Sequence, residues 1–328
     1  MFSLDDLDRA AGVVRSVMPP TPQYAWPLLR QRFGVEVVVK HENHTPIGAF
    51  KVRGGLTYVE RLNRERTQVR GIVSATRGNH GQSLAFAGRH FKVPVVVVVP
   101  YGNSVEKNAA MRALGAEIVE HGIDFDDAKQ RATELAKERS YEYVPSFHPD
   151  LIVGVATYAY ELFHSHPDLD VVYAPIGLGS GICGLIRTRD LLGLKTDVVG
   201  VVSNLSNAYR LSFDAGRVVP INSASTFADG IAVRVPDADA VAMIHSGASA
   251  VIEVSDHDIA TAIRTFHEDT HNLAEGAGAA ALAGLAVDRD HSRGRKAAVI
   301  LSGGNIDRPW ASLVLAGQTP SISESVRA

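Results

Sequence analysis

The stretch VPVVVVVP (93–100) constrains this chain more than any other. Its consecutive valines are apolar on both faces, which suits a strand covered from above and below in the middle of a parallel sheet. It is far too short to span a bilayer, where a helix needs roughly 20 apolar residues. A buried parallel strand requires crossover connections, so the remaining sequence must supply helices that alternate with strands.

It does. Strand patterns at 35–42, 71–75, 93–99 and 116–122 alternate with helical patterns at 49–62, 80–90, 104–114 and 125–139. Gly54 and Gly55 weaken the first turns of the 49–62 helix. A second set begins near residue 151, with strands at 170–176, 197–202, 250–254 and 297–301. Its clearest helices lie at 257–270 and 275–287. The expected fold class is α/β, with two open twisted parallel-sheet lobes. The polar tail QTPSISESVRA is expected to fray.

Composition narrows the function. A length of 328 residues favours two domains, or one large α/β unit with an inserted lobe. Hydrophobic residues at 45% and charged residues at 21% describe an ordinary soluble globular protein. A net charge of −3 argues against a nucleic-acid binder. The single cysteine, Cys183, excludes an internal disulfide and suits a reducing compartment. The opening MFSLDDLDRAAG carries aspartates where a signal peptide would carry positive charge. These features predict a cytoplasmic protein with neither a nucleic-acid nor a membrane partner.

Four stretches carry chemistry. HENHTPIGAFKVRGG (41–55) delivers Lys51, between Phe50 and Val52, from a Pro-Gly turn to the mouth of a helix. VVYAPIGLGSGICG (171–184) runs from a buried strand through clustered glycines into a helix, which makes a phosphate cradle. SATRGNHGQS (74–83) is a strand end turning into a helix, where Thr76, Asn79, His80 and nearby N–H groups could hold a carboxylate. VILSGGNID (299–307) brings the Ser302 hydroxyl to a strand's carboxyl end, where open α/β sheets bind ligands.

GSGICG (179–184) also matches the Gly-x-Gly-x-x-Gly fingerprint of nicotinamide-dependent dehydrogenases, from Gly179 to Gly184. That fingerprint needs an acidic residue at the end of the next strand to bind ribose. No Asp or Glu occurs from 198 to 213. Taken together, one lysine, two anion cradles and one hydroxyl suit a cofactor bearing a phosphate and an aldehyde. Pyridoxal 5′-phosphate, held by Lys51 as a Schiff base, uses all four.

The order and spacing of GAFKVRG, RGNHGQ, GLGSG, TFADGIAV, AEGAGAAALAG and LSGGN resemble the fold-type II pyridoxal-phosphate enzymes. The likeness is to the threonine/serine dehydratase and serine racemase group and runs from about residue 19 to about 307. It implies two lobes like those of the tryptophan synthase β chain, with the cofactor in the cleft. Residues 1–64 and 148–328 would form the large cofactor-binding domain, and 65–147 a small mobile one.

By the same resemblance, Lys51 would carry the cofactor and act as the base at Cα, and Phe50 would pack on the ring. Asn79 would bond the ring 3-oxygen. The backbone of Gly177, Leu178, Gly179, Ser180 and Gly181 would hold the phosphate, and Ser302 would face the ring nitrogen. Thr76, Asn79 and His80 would surround the substrate carboxylate. The implied reaction is β-elimination from a β-hydroxy α-amino acid such as L-threonine or L-serine, giving a 2-oxo acid and ammonia. A homodimer or homotetramer is implied as well.

The departures concern specificity. Arg77 stands where the group often has Ala or Ser, a poor choice for the proton donor that racemisation needs. An arginine there would suit a second substrate carboxylate. VGVAT (153–157) and Ala49 also differ from the group's usual residues. These changes admit threo-3-hydroxyaspartate or phenylserine as alternative substrates. VVSNLSNAY (201–209) lacks the acidic residue of metal-activated members, and HENH (41–44) is a poor ligand pair, so no metal is expected. The sequence as given stops after one catalytic unit, and the expectation is a catabolic enzyme without the C-terminal feedback domain of biosynthetic relatives.

Overall fold

The computed structural model describes residues 2–66 and 69–321. Among these the chain forms ten strands: β1 (Gln23–Ala25), β2 (Val37–His41), β3 (Ile72–Ala75), β4 (Val95–Val99), β5 (Glu117–Glu120), β6 (Glu142–Tyr143), β7 (Val171–Pro175), β8 (Asp197–Ser203), β9 (Ala250–Val254) and β10 (Ala297–Leu301). They build two sheets, ordered β5-β4-β3-β6 and β1-β2-β10-β7-β8-β9. Every pairing is parallel except β1 on β2, an antiparallel edge that the sequence patterns did not suggest.

The chain divides into two compact units. One comprises Met1–Pro19 with Thr45–Thr157 and holds the four-stranded sheet; the other comprises Pro20–His44 with Tyr158–Ala328 and holds the six-stranded sheet. These bounds differ from the expected grouping of 1–64 with 148–328, because helix Lys51–Glu65 clusters with the four-stranded sheet. The tail expected to fray covers residues 318–328, of which 322–328 lie outside the described residues.

In the four-stranded unit β4 lies between β5 and β3, and all five of its valines are buried. Alternation along the strand divides them. Val95, Val97 and Val99 join Val52, Leu56, Val59 and Leu84 on one face. Val96 and Val98 join Ala128, Ala132 and Leu135 on the other. At roughly 1.5–3 kcal/mol for each fully buried valine, this run anchors both layers.

Helix Lys51–Glu65 is unbroken despite Gly54 and Gly55, which sit where its backbone meets neighbours. A Cβ on Gly54 would lie 2.7 Å from the Leu151 carbonyl oxygen, and one on Gly55 would lie 2.2 Å from Ser83 Oγ. The two glycines lower helix propensity but permit close packing.

In the six-stranded unit, Val37, Val39, Val171, Tyr173, Val199 and Val201 pack with the helix Gly276–Val287, whose first ten residues are all buried. No helix among the described residues is long and apolar enough to cross a membrane.

Candidate active site

Both sheets present their chemistry at carboxyl ends beside a reversal of strand order. In the four-stranded sheet the reversal lies between β3 and β6, and the Thr76–His80 turn follows β3 directly. In the six-stranded sheet it lies between β10 and β7, and these strands lead into Ser302 and the Gly177–Gly181 loop. Such switch points leave a crevice where connections depart in opposite directions.

Within the four-stranded unit, Lys51 is the first residue of its helix, preceded by Phe50, and its Nζ stands 5.1 Å from the Phe50 ring centroid. The approach to it is fixed by Thr45, whose Oγ1 both donates to the Ala49 carbonyl and accepts from the Ala49 N–H, each at 2.9 Å. Asn79 opens the neighbouring helix Asn79–Phe91. The first N–H groups of each helix have no intrahelical acceptor and favour negative charge.

Thr76 shapes the turn. Its Oγ1 accepts from the N–H groups of Gly78, at 3.0 Å, and Gly81, at 3.4 Å. A Cβ on Gly78 would lie 2.7 Å from Lys107 Cδ, so the Lys107 side chain packs directly over the turn. His80 is buried, and its Nε2 has no hydrogen-bond partner among the described residues. Burial, reinforced by the nearby charge of Lys51 and opposed by the Val144 carbonyl, pushes His80 down to about 3, so its ring is neutral. Arg77 is exposed, and among the described residues nothing pairs with its guanidinium. The structure therefore brings Phe50, Lys51, Thr76, Asn79 and His80 into one helix-packed corner, with Arg77 on its surface.

Within the six-stranded unit, the Gly177–Gly181 loop enters helix Ser180–Leu191 through Gly179, whose φ of +98° is left-handed. A Cβ on Gly177 would lie 2.5 Å from the Gly230 carbonyl oxygen, and one on Gly276 would lie 2.8 Å from Ala228 Cα. One on Gly278 would lie 2.1 Å from the Gly303 carbonyl oxygen. Close backbone approach thus explains the glycines shared among GLGSG, TFADGIAV, AEGAGAAALAG and LSGGN. Ser302 is buried, and its hydroxyl makes a long contact of 3.4 Å to the Ala277 carbonyl, which leaves it weakly committed among the described residues.

Sequence reasoning missed several buried polar residues. Arg53 is fully buried and donates to Thr157 Oγ1 at 3.0 Å. Lys40 is fully buried within β2 and meets Glu161 at 2.6 Å. The Tyr158 and Tyr209 hydroxyls reach the glycine loop. The HENH histidines are engaged elsewhere. Trp26 Nε1 donates to His41 Nε2 at 3.0 Å, and His44 Nε2 lies 2.7 Å from Asn272 Oδ1.

Known proteins fit this geometry. The family model described as pyridoxal-phosphate dependent enzyme matches residues 14–303. The chain is 31% identical over 308 residues to an L-threonine ammonia-lyase of Thermotoga maritima, covering 94% of this chain and 76% of that one. It is 29% identical to the L-threo-3-hydroxyaspartate ammonia-lyase of Saccharomyces cerevisiae, covering 96% of each. A solved structure, the processed form of threonine deaminase isoform 2 from Solanum lycopersicum, superposes with a TM-score of 0.88 at 28% identity, covering 96% of this chain and 95% of that one. The chain spans only 56 to 58% of the bacterial biosynthetic L-threonine dehydratases it also matches. These matches set aside the nicotinamide reading of Gly179–Gly184. The chain belongs to the pyridoxal-phosphate-dependent enzymes, among the lyases of the threonine dehydratase type.

Proposed function

We propose that this enzyme dehydrates and deaminates L-threonine or L-serine to a 2-oxo acid and ammonia. The observation that carries the reading is the corner where Lys51 heads one helix beside the turn that buries His80 Nε2 without a partner. A buried polar atom left unsatisfied costs about 1–3 kcal/mol, which a bound polar group would recover.

The residues suit pyridoxal phosphate. Lys51 would hold its aldehyde carbon through Nζ, with Phe50 against the ring and Asn79 at the 3-oxygen. The Gly177, Leu178, Gly179, Ser180 and Gly181 backbone would hold its phosphate, helped by the positive end of the following helix. When bound, the cofactor supplies an electron sink that makes the substrate Cα–H acidic and lets the β-hydroxyl leave.

The remaining work falls to the protein. Lys51 Nζ takes the Cα proton. Thr76 holds the Gly78 and Gly81 N–H groups in place, and the Asn79 helix start receives the α-carboxylate alongside His80. His80, being neutral, adds no competing charge to that site. Ser302, buried at the end of its strand, would serve as a neutral hydrogen-bonding partner for the ring nitrogen. The reading also makes the enzyme a cytoplasmic homodimer or homotetramer.

A second reading is favoured by Arg77. An exposed guanidinium without an ion-pair partner among the described residues, in the turn read as the carboxylate cradle, suits a second carboxylate, as in threo-3-hydroxyaspartate. Two-oxo acid release from L-threonine, L-serine, threo-3-hydroxyaspartate and phenylserine tests both. Release from threonine or serine upholds the first reading. Release from hydroxyaspartate alone replaces it with the second, and release from none overturns both.

A further inference from the structure

The Gly177–Gly181 loop has a problem that its glycines create. A glycine-rich segment reverses its peptide planes at little cost, and a carbonyl turned toward an anion repels it where an N–H would attract it. Something must set which end of each peptide faces the ligand.

Two buried tyrosines are placed to do so. Tyr209, 2% exposed, donates from its hydroxyl to the Leu178 carbonyl at 2.8 Å. Tyr158, 1% exposed, donates to the Gly181 carbonyl at 2.8 Å. The chain has no cis peptides among the described residues, so each carbonyl points opposite to the N–H of the following residue. Fixing the Leu178 carbonyl therefore sends the Gly179 N–H the other way, while Tyr158 holds the Gly181 carbonyl in the helical orientation that leaves the Ile182 N–H facing the loop.

Gly179 is the N-cap of helix Ser180–Leu191, and Ile182 is its third residue. The first intrahelical bond beyond the cap runs from the Cys183 N–H to the Gly179 carbonyl. The Gly179 and Ile182 N–H groups thus both belong to the set that a helix start leaves for an anion.

Tyr209 is itself held. Its Oη accepts from the Asp237 N–H at 3.1 Å, at the cap of helix Ala238–Gly247. The same helix closes on the loop, since a Cβ on Gly179 would lie 2.8 Å from Ala240 Cβ. Burial keeps the Tyr209 phenol protonated and therefore a donor.

We propose that Tyr158 and Tyr209 are positioning residues: their hydroxyls turn the Gly181 and Leu178 carbonyls away so that the loop offers N–H groups to the cofactor phosphate. The inference rests on the reading of Gly177–Gly181 as the phosphate loop, and it concerns phosphate recognition rather than the reacting atoms.

The test uses full-length apo-enzyme titrated with pyridoxal phosphate and, separately, with pyridoxal, which has the aldehyde and no phosphate. Tyr209→Phe and Tyr158→Phe keep the ring packing and remove the hydroxyl. Each should weaken pyridoxal phosphate binding about three- to ten-fold, the scale of one lost hydrogen bond. Pyridoxal binding should change less than about two-fold by the same reasoning. If both forms lose affinity equally, or neither does, the tyrosines are ordinary packing residues and the inference falls. If the unmodified enzyme binds the two forms equally well, the phosphate-loop reading fails first. Thermal midpoints of the apo variants identify a variant that merely misfolds, and the other tyrosine then decides.

Discussion

Ser83 Oγ donates a 2.6 Å hydrogen bond to the Lys51 carbonyl, so the second turn of helix Asn79–Phe91 fastens the head of helix Lys51–Glu65. The contact depends on Gly55, whose hydrogen faces Ser83. Gly55→Ala would put a Cβ 2.2 Å from Ser83 Oγ and 2.8 Å from the Ser83 carbonyl oxygen. The hydroxyl can rotate away, but the backbone cannot. We expect a loss of about 1–3 kcal/mol in unfolding free energy, with weaker cofactor retention at Lys51. Urea unfolding of the holoenzyme measures the first, and an unchanged midpoint would refute the close-packing account.

Arg77 is the residue on which substrate preference should turn. Arg77→Ala should lower kcat/KM for threo-3-hydroxyaspartate by about 10- to 100-fold, as expected for one charged hydrogen bond. Turnover of threonine should move by less than about three-fold on the same argument. An equal loss on both substrates would assign Arg77 to the turn's structure rather than to recognition.

His80 predicts an acid limit. Its pKa falls from the usual 6.5 to about 3 in the folded chain, because burial disfavours the imidazolium and Lys51 adds to the effect. Between those values the unfolded chain binds a proton that the folded chain refuses. The contribution is complete above pH 6.5 and is lost progressively as pH falls toward 3. Its slope is about 1.4 kcal/mol per pH unit for one proton. His80→Asn should flatten the stability profile across that window, and denaturant titrations at stepped pH measure it. A profile with the same slope in both proteins would show that other groups set the acid limit.

Lys40 and Glu161 form an ion pair with side chains 0% and 5% exposed. Glu161→Gln removes the carboxylate charge and leaves the ammonium inside, at a cost of about 3–5 kcal/mol. Lys40→Met combined with Glu161→Leu should recover only part of that loss, because Glu42, fully buried and 3.9 Å from Lys40 Nζ, then keeps a carboxylate inside without its ammonium. Equilibrium unfolding of the single and double variants separates the two effects. A single variant within about 1 kcal/mol of the parent would contradict the ion-pair account.

Much of the architecture was legible because burial leaves a periodic trace. The β4 valines, apolar on both faces, announced a covered strand, and turn residues marked where strands end. Thr76, the Gly177–Gly181 loop and Ser302 were found because each follows a strand into a turn. Strands β1 and β6, of three and two residues, carry too little pattern to be read. Gly54 and Gly55 read as defects in a helix, since propensity is local and the neighbour that needs their small size is not.

By itself, the sequence determined the alternation of strand and helix, the turns that end the strands, and the lysine, glycines and hydroxyl offered there. These follow from side-chain period and backbone conformational preference, which act within a few residues. The tertiary structure alone decided the pairs. Lys40 meets Glu161 across 121 residues, and Tyr209 meets Leu178 across 31. A buried polar group requires a partner but does not encode which one. Only the order in which the strands pack brings that partner within hydrogen-bonding distance.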